Sequence, residues 1–201
     1  MYYKSNLLSY RLKSTVLYNN HNSNIKMFGF FKKKEPAIQV IDKVWMTEDG
    51  KWNACLQLLA TNTNLQFVAW FEDTRKKLNE LLEQHNYQHK VVLYRQTTSS
   101  QKLDYIFVEH YPLLNKETEL FKHLELTTAT VLSSLEEPLF MQFGSERLGP
   151  LLQKIGLESD EMIEHNMITL SIKRAQEKIA SKVLIENTAN NQAEWLSKNV
   201  K

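Results

Sequence analysis

The sequence predicts an α/β fold: a mostly parallel sheet of four or five strands with helices on its faces, followed by a C-terminal helical extension. Three observations predict it. The run Leu65-Gln66-Phe67-Val68-Ala69-Trp70-Phe71 is almost wholly apolar, the pattern of a strand covered on both faces. From there the chain alternates strand, helix, strand, strand, helix, strand, which favours parallel pairing with helical crossovers. After Leu135 the strand patterns stop and helical spacing takes over.

The elements follow in order. Ala37 to Trp45 reads as a short extended stretch, and Glu48-Asp49-Gly50 as a turn. Lys51 to Thr61 reads as a helix with Trp52, Cys55, Leu56 and Leu59 on one face. The strand Leu65 to Phe71 leads into a helix ending near Gln84, which Asp73 or Thr74 is placed to cap by accepting a backbone N–H bond. Its Leu78, Leu81 and Leu82 point inward. Lys90 to Tyr94 is a second strand of this block, Thr97 to Lys102 a polar loop, and Leu103 to Val108 a third strand. Asn115 to Leu124 is helical, with Glu117 and Glu119 near its positive end, and Ala129 to Leu135 is a fourth strand. Short helices follow at Glu136 to Phe143 and Glu146 to Ile155. A long one runs from Asn166 to about Glu186 on a stripe of Ile168, Ile172, Ala175, Ile179 and Val183. Gln192 to Lys198 adds a turn or two around Trp195.

These elements divide the chain into a flexible N-terminal segment (1–36), an α/β domain (37–135) and the helical extension (136–201). Met27, followed by Phe28-Gly29-Phe30-Phe31-Lys32-Lys33-Lys34, reads as the true start of translation. Of 201 residues, 42% are hydrophobic and 24% charged, as in an ordinary globular protein, and the net charge of +2 lacks the basic excess of a nucleic-acid binder. Cys55 is the single cysteine, so no intramolecular disulfide and no Cys-rich zinc site is expected, in keeping with a cytoplasmic location. No apolar run is long enough to cross a membrane. Phe28, Phe30 and Phe31 beside Lys32, Lys33 and Lys34 make a short segment of the kind that touches anionic membranes, set against a plain solubilising start.

The stretch Leu132-Ser133-Ser134-Leu135-Glu136-Glu137-Pro138-Leu139-Phe140, then Phe143-Gly144-Ser145-Glu146-Arg147-Leu148, is similar to the "LSLEDDLM…FGSERI" of SecA, the preprotein translocase motor. Ile155-Gly156-Leu157, Ile163-Glu164-His165 and Ile172-Lys173-Arg174-Ala175-Gln176-Glu177-Lys178-Ile179 continue the likeness to that family's "LGM…IEH" and "IERAQKKVE". Phe67 to Leu82 resembles the strand and helix that open the second RecA-like domain of superfamily 2 helicases. The resemblance covers roughly residues 37 to 185. It implies a RecA-like (P-loop-NTPase-type) sheet leading into a helical scaffold. In the family the position of Glu109-His110 lies near the nucleotide cleft.

Departures from the family pattern decide the expected function. ATP binding requires a glycine-rich loop ending in Gly-Lys-Ser/Thr, because backbone N–H groups must approach the phosphates. The Gly50-Lys51 pair is followed by Trp52 and lacks the upstream glycine. Between Glu109 and Thr128, where the resemblance places a "QxxGRxGR" motif, there is neither Arg nor Gly, and Lys116 and Lys122 lack the planar fork that grips phosphate bidentately. No autonomous ATPase or helicase activity, no cofactor and no metal is therefore expected. His85 and His89 have metal-ligand spacing but fall beyond the helix end, on a solvated loop. Glu136, Glu137, Asp160, Glu161 and Glu164 read as helix-start charges rather than paired catalytic acids. Glu109, His110 and Tyr111 read either as a vestigial cleft or as polar residues in water at a strand end. Arg174, and Trp195 if exposed, are the candidates for partner binding.

The expected function is a non-catalytic interaction module of SecA-like descent that binds a protein or a second copy of itself. The alternative is a nucleotide- or nucleic-acid-associated protein keeping a vestigial cleft. A third reading is an enzyme that completes an ATP site in trans.

Overall fold

Gln39–Trp45 forms β1, and the chain turns at Thr47, whose hydroxyl oxygen accepts the Gly50 amide at 3.1 Å and so caps α1, Glu48–Thr61. Then come β2 (Leu65–Ala69), α2 (Glu72–Gln84), β3 (Val92–Leu93), β4 (Asp104–Phe107), α3 (Leu114–His123) and β5 (Thr128–Ser134). The remainder holds α4 (Pro138–Met141), α5 (Leu148–Lys154), β6 (Met162–Ile163), α6 (Asn166–Ala180) and α7 (Gln192–Asn199). The structure, a computed structural model, describes residues 38–88, 91–100, 102–154, 156–158 and 161–201. The readings made for residues 1–36, among them Met27 as the start and membrane contact by Phe28, Phe30, Phe31, Lys32, Lys33 and Lys34, lie outside them, as do His89 and Asp160.

The strands form one sheet of six in the order β3-β2-β4-β5-β1-β6. β1, β5, β4, β2 and β3 are mutually parallel, and β6 pairs antiparallel with the end of β1 through Val44–Ile163 and Trp45–Met162. This α/β architecture, a mostly parallel sheet with C-terminal helices, is consistent with a RecA-like domain. Alternation along the strands sends side chains to two cores. Phe67, Ala69, Ile106, Val108 and Leu132 meet Trp52, Cys55 and Leu59 of α1 and Leu78 and Leu82 of α2. Val68, Phe107, Ala129 and Val131 meet Phe121 of α3, Ile179 of α6 and Trp195 and Leu196 of α7. Trp45, Trp52 and Trp70 are buried.

Several expected elements change for local reasons. The helix expected from Glu136 shrinks to α4, because Glu137 precedes a proline and takes an extended conformation (φ −66°, ψ 142°). β3 stops at Leu93, whose amide donates to the Gln96 side chain, and a 3-10 turn follows. α6 ends near Ala180 rather than Glu186, and the released chain carries Glu186 to Tyr111 and Trp195. Neither Asp73 nor Thr74 caps α2. The Asp73 carboxylate accepts from Asn191 and the Thr74 hydroxyl donates to Glu109. Gly144, three residues beyond α4, takes φ 78°, a left-handed conformation that favours glycine, and leads into a 3-10 turn at Ser145–Arg147.

Trp195 corrects the reading of the C-terminal tail. It is fully buried (0% exposed), and its indole N–H donates to the Tyr111 hydroxyl at 3.0 Å and to Glu186. It therefore offers no surface to a partner. The polar composition of the tail concealed this, because α7 is fastened by polar groups as well as by packing. The Asn199 side-chain amide donates to the carbonyls of Asn187 and Trp195, at 3.0 and 2.8 Å, while its oxygen accepts the Asn187 amide at 2.6 Å. Trp195→Ala is expected to lower unfolding stability by about 3–5 kcal/mol, read as a shift of the urea midpoint.

Candidate functional site

The outgoing helices of β2 and β4 lie on opposite faces of the sheet, α2 on one and α3 on the other. A crevice opens between such strands at their carboxyl ends, where open α/β sheets place ligands. Glu109, His110 and Tyr111 follow β4 directly at this point. The structure brings all three together, buries the first two, and engages each with groups of the chain itself.

Glu109 bridges the crevice. Its Oε1 accepts the backbone amides of Trp70 and Phe71, each at 3.0 Å, and its Oε2 accepts the Thr74 hydroxyl at 2.7 Å. These groups lie at the entry to α2, Trp70 and Phe71 just before it and Thr74 in its first turn, the kind of place where helices hold anions. The carboxylate thus sits where a bound phosphate would be expected in such a crevice. Burial pushes its pKa up to about 7, and nearby Glu137 adds to the rise, against the lowering effect of the Thr74 and Phe71 bonds.

His110 stands between two carboxylates. Its Nδ1 lies 2.9 Å from Glu117 Oε1 and its Nε2 lies 2.9 Å from Asp42 Oδ1, with all three side chains almost wholly buried. Burial alone would lower the imidazole pKa, but Glu117 and Asp42 outweigh it and hold the value well above the usual one. Burial likewise works to raise Asp42, and the bond with His110 reverses the direction to a lowered value. Glu117 Oε1 also accepts the Tyr111 amide at 2.7 Å, and its Oε2 accepts Gln176 Nε2 at 2.8 Å. Gln192 of α7 donates to the His110 carbonyl at 3.0 Å and accepts the Leu139 amide at 2.6 Å. Tyr111 joins this lock through its hydroxyl, which donates to Glu186, and its ring packs on Trp70, Phe71 and Trp195.

Lys51 enters α1 just after the β1 turn, and its ammonium donates to Glu137 at 2.7 Å and to the Val108 carbonyl at 3.1 Å, 1% exposed. Its Nζ lies 4.0 Å from the centre of the Trp52 ring. Burial acts to lower the ammonium pKa, but Glu137 outweighs it and raises the value. A cavity of about 240 Å³ remains here, lined by Lys51, Thr74, Lys77, Glu109, Glu137 and Gln192, among others. It lies below the range of about 300–1,000 Å³ usual for small-molecule sites.

Of the other candidates, Glu137 belongs to the crevice, while Arg174 and His85 do not line it. Arg174 is exposed on α6. His85 Nδ1 lies 2.9 Å from the Leu81 carbonyl at the end of α2, and no group of side chains suited to a metal exists among the described residues. Glu137 is a buried partner of Lys51 rather than a solvated helix-start charge, and Glu136 accepts the Glu48 amide at 2.7 Å.

Known proteins match one stretch of the chain. It is 52% identical over 46 residues to the protein translocase subunit SecA of Christiangramia forsetii, a match covering 23% of this chain and 4% of that protein. The SecA subunits of Acidithiobacillus ferrooxidans and Rubrobacter xylanophilus are 49% and 45% identical over 49 residues, 24% of this chain and 5% of each relative. The relationship to SecA is thus partial. No family model matches the chain.

Sequence reasoning missed Asp42, Lys51, Glu117, Glu137, Gln176 and Gln192 as members of the crevice lock. Asp42 carried a signal: an acid in the middle of a strand otherwise rich in Val, Ile and Trp demands a cationic partner if it is buried. Gln176 carried another, since it adjoins the apolar stripe of α6. Lys51 had no such signal beyond its place in the first turn of a helix.

The lock makes stability depend on pH. His110 has a raised value in the fold, so its contribution is complete below about 6.5 and is lost as pH rises through the folded value. Glu109, raised from 4.5 to about 7, contributes fully below 4.5 and loses that contribution by about 7. The urea midpoint is expected to fall as pH rises from 4.5 past neutrality. Glu109→Gln should flatten the lower part of that slope, by on the order of 3 kcal/mol in all. His110→Leu should flatten the upper part and cost about 3–5 kcal/mol by stranding two buried carboxylates.

Proposed function

We propose that this chain is a cytoplasmic, non-catalytic interaction module related to SecA, which binds a protein, either a second copy or another chain, in connection with protein translocation. One observation carries the reading: the helices after Leu135 leave an apolar groove of about 500 Å³ open to solvent, lined in part by the exposed Phe143, Leu148 and Met167. Leu151 of α5 and Leu170 of α6 are exposed as well. Exposed apolar patches of this kind mark protein-binding surfaces. The partial relationship to SecA supplies the link to translocation.

The crevice supports the absence of ATP hydrolysis. A triphosphate entering there would meet the Glu109 carboxylate at the N-terminus of α2 and would find Lys51 already paired with Glu137. Arg174 lies outside it, on the helical extension, where it serves partner binding. The near-balanced net charge argues against nucleic acid as the partner.

ATP or ADP with magnesium is expected to leave the melting temperature unchanged, because only a ligand that binds the folded state raises it. A tagged chain expressed in its source cells is expected to retain a protein partner or a second copy through purification. A saturable nucleotide-dependent rise in melting temperature would favour the alternative, a nucleotide-associated protein with a working cleft. ATP hydrolysis by the isolated chain would overturn the proposal.

A further inference from the structure

We infer that the outer edge of β6 takes an extended segment of a protein partner as an added strand, one that alternates large apolar with basic side chains. This rests on the interaction-module reading and names the class of partner. Three observations carry it: an unpaired sheet edge, a cavity on either side of that edge, and a run of acids along it.

β6 is the last strand of the sheet, and among the described residues no strand pairs with its outer side. Alternate residues of an antiparallel strand turn their N–H and C=O groups away from the partner strand. Of Met162 and Ile163, one therefore presents both groups outward. Met162, Glu164 and His165 are exposed. His165 is still extended (φ −155°, ψ 138°), so the edge continues to the start of α6. An unpaired edge of this kind is a template for a further strand.

The flanking cavities fit the alternation of a strand. Ile163 lies opposite Val44 and Met162 opposite Trp45, so the two point to different faces of the sheet. Ile163 and His165 line the apolar groove of about 500 Å³ with Phe143 and Leu148. Met162, Lys43 and Trp45 line a second cavity, of about 430 Å³, against Ala54 and Leu58 of α1. A strand laid along β6 sends every second side chain toward one cavity and the rest toward the other. The residue opposite Ile163 enters the groove, whose lining holds no Asp, Glu, Lys or Arg, so a large apolar side chain belongs there.

Charge selects the other face. Glu158, Glu161 and Glu164 are exposed before, beside and after β6, and no Lys or Arg stands between Lys154 and Lys173. Continuing the register, Glu164 stands opposite Lys43, 4.0 Å away, with both side chains partly exposed. A residue added on the far side of Glu164 meets that carboxylate, and opposite charges directly across two strands attract. Lysine or arginine at this position completes a cation–anion–cation row across three strands. Glu158 and Glu161 favour further basic residues along the same segment.

Fluorescence-anisotropy titration of the full chain with a short labelled peptide that alternates leucine and lysine tests the inference. Saturable binding of one peptide per chain is expected. A peptide of the same composition with its leucines at helical spacing should bind at least about tenfold more weakly. N-methylation of the peptide's backbone at its leucines or at its lysines should abolish binding in one case and spare it in the other, because only alternate amides face β6. Charge exchange gives the decisive arm. Glu164→Lys should weaken the leucine–lysine peptide by about fivefold or more and strengthen a leucine–glutamate peptide, an exchange that damaged folding does not produce. Glu119→Lys on α3 should change neither. Absence of saturable binding overturns the inference, as does binding indifferent to leucine spacing, to N-methylation or to Glu164→Lys. If no peptide binds but the tagged chain retains a protein from its source cells, strand addition alone is refuted and the interaction-module reading stands. If no peptide binds and nothing is retained, both are refuted.

Discussion

The rest of this structure depends on one buried charge, the His110 imidazolium held between Asp42 and Glu117. Asp42 belongs to β1, His110 follows β4, and Glu117 lies in the first turn of α3, so a single cation ties two strands and a helix. Removing three polar side chains from water is costly, and the two close ion pairs offset that cost, although the Asp42 oxygens and His110 Nε2 make no well-aligned hydrogen bond. The match is extended outward by Gln176 of α6, which bonds Glu117, and by Gln192 of α7, which bonds the His110 carbonyl. The C-terminal helices are therefore fixed to the sheet by hydrogen bonds of defined geometry as well as by the Ile179 and Trp195 packing.

The same arrangement decides what the crevice can do. A doubly wound sheet creates an opening at its carboxyl edge by topology alone, and a helix N-terminus there attracts negative charge. In this chain the attraction is satisfied from within by Glu109, and the adjacent ammonium of Lys51 by Glu137. The consequence is a small, densely hydrogen-bonded site whose charges are already paired. Among the described residues, exposed large apolar side chains lie away from it, at Phe143, Leu148, Leu151, Met167 and Leu170 and at Leu184 and Ile185 after α6.

Much of the fold was legible in the sequence because it rests on local patterns. The apolar run at β2, the Trp52-Cys55-Leu59 stripe and the Ile172-Ala175-Ile179 stripe each specify an element and its buried face without reference to the rest of the chain. The elements that sequence misjudged depend on distant partners. β6 is two residues long and exists through pairing with the end of β1. Trp195 lies in a polar tail, and only the arrival of Tyr111 and Glu186 makes a buried indole satisfiable. For the crevice, Glu109 and His110 were readable from their place after a strand. Asp42 showed that a cation was needed but not which one, and Lys51 and Gln192 showed nothing, since their separations from their partners in sequence exceed any local spacing rule.

The clasp made by Asn199 bears on how this protein ages. Its amide is both donor and acceptor to Asn187, a combination that a carboxylate cannot reproduce. Asparagine is among the thermolabile side chains. Deamidation at this one position would place an anion against the Asn187 carbonyl and remove the donors that hold the turn closed. Chemical wear would thus release α7 first, uncovering Trp195 and the aromatic core beneath it while the sheet is still intact.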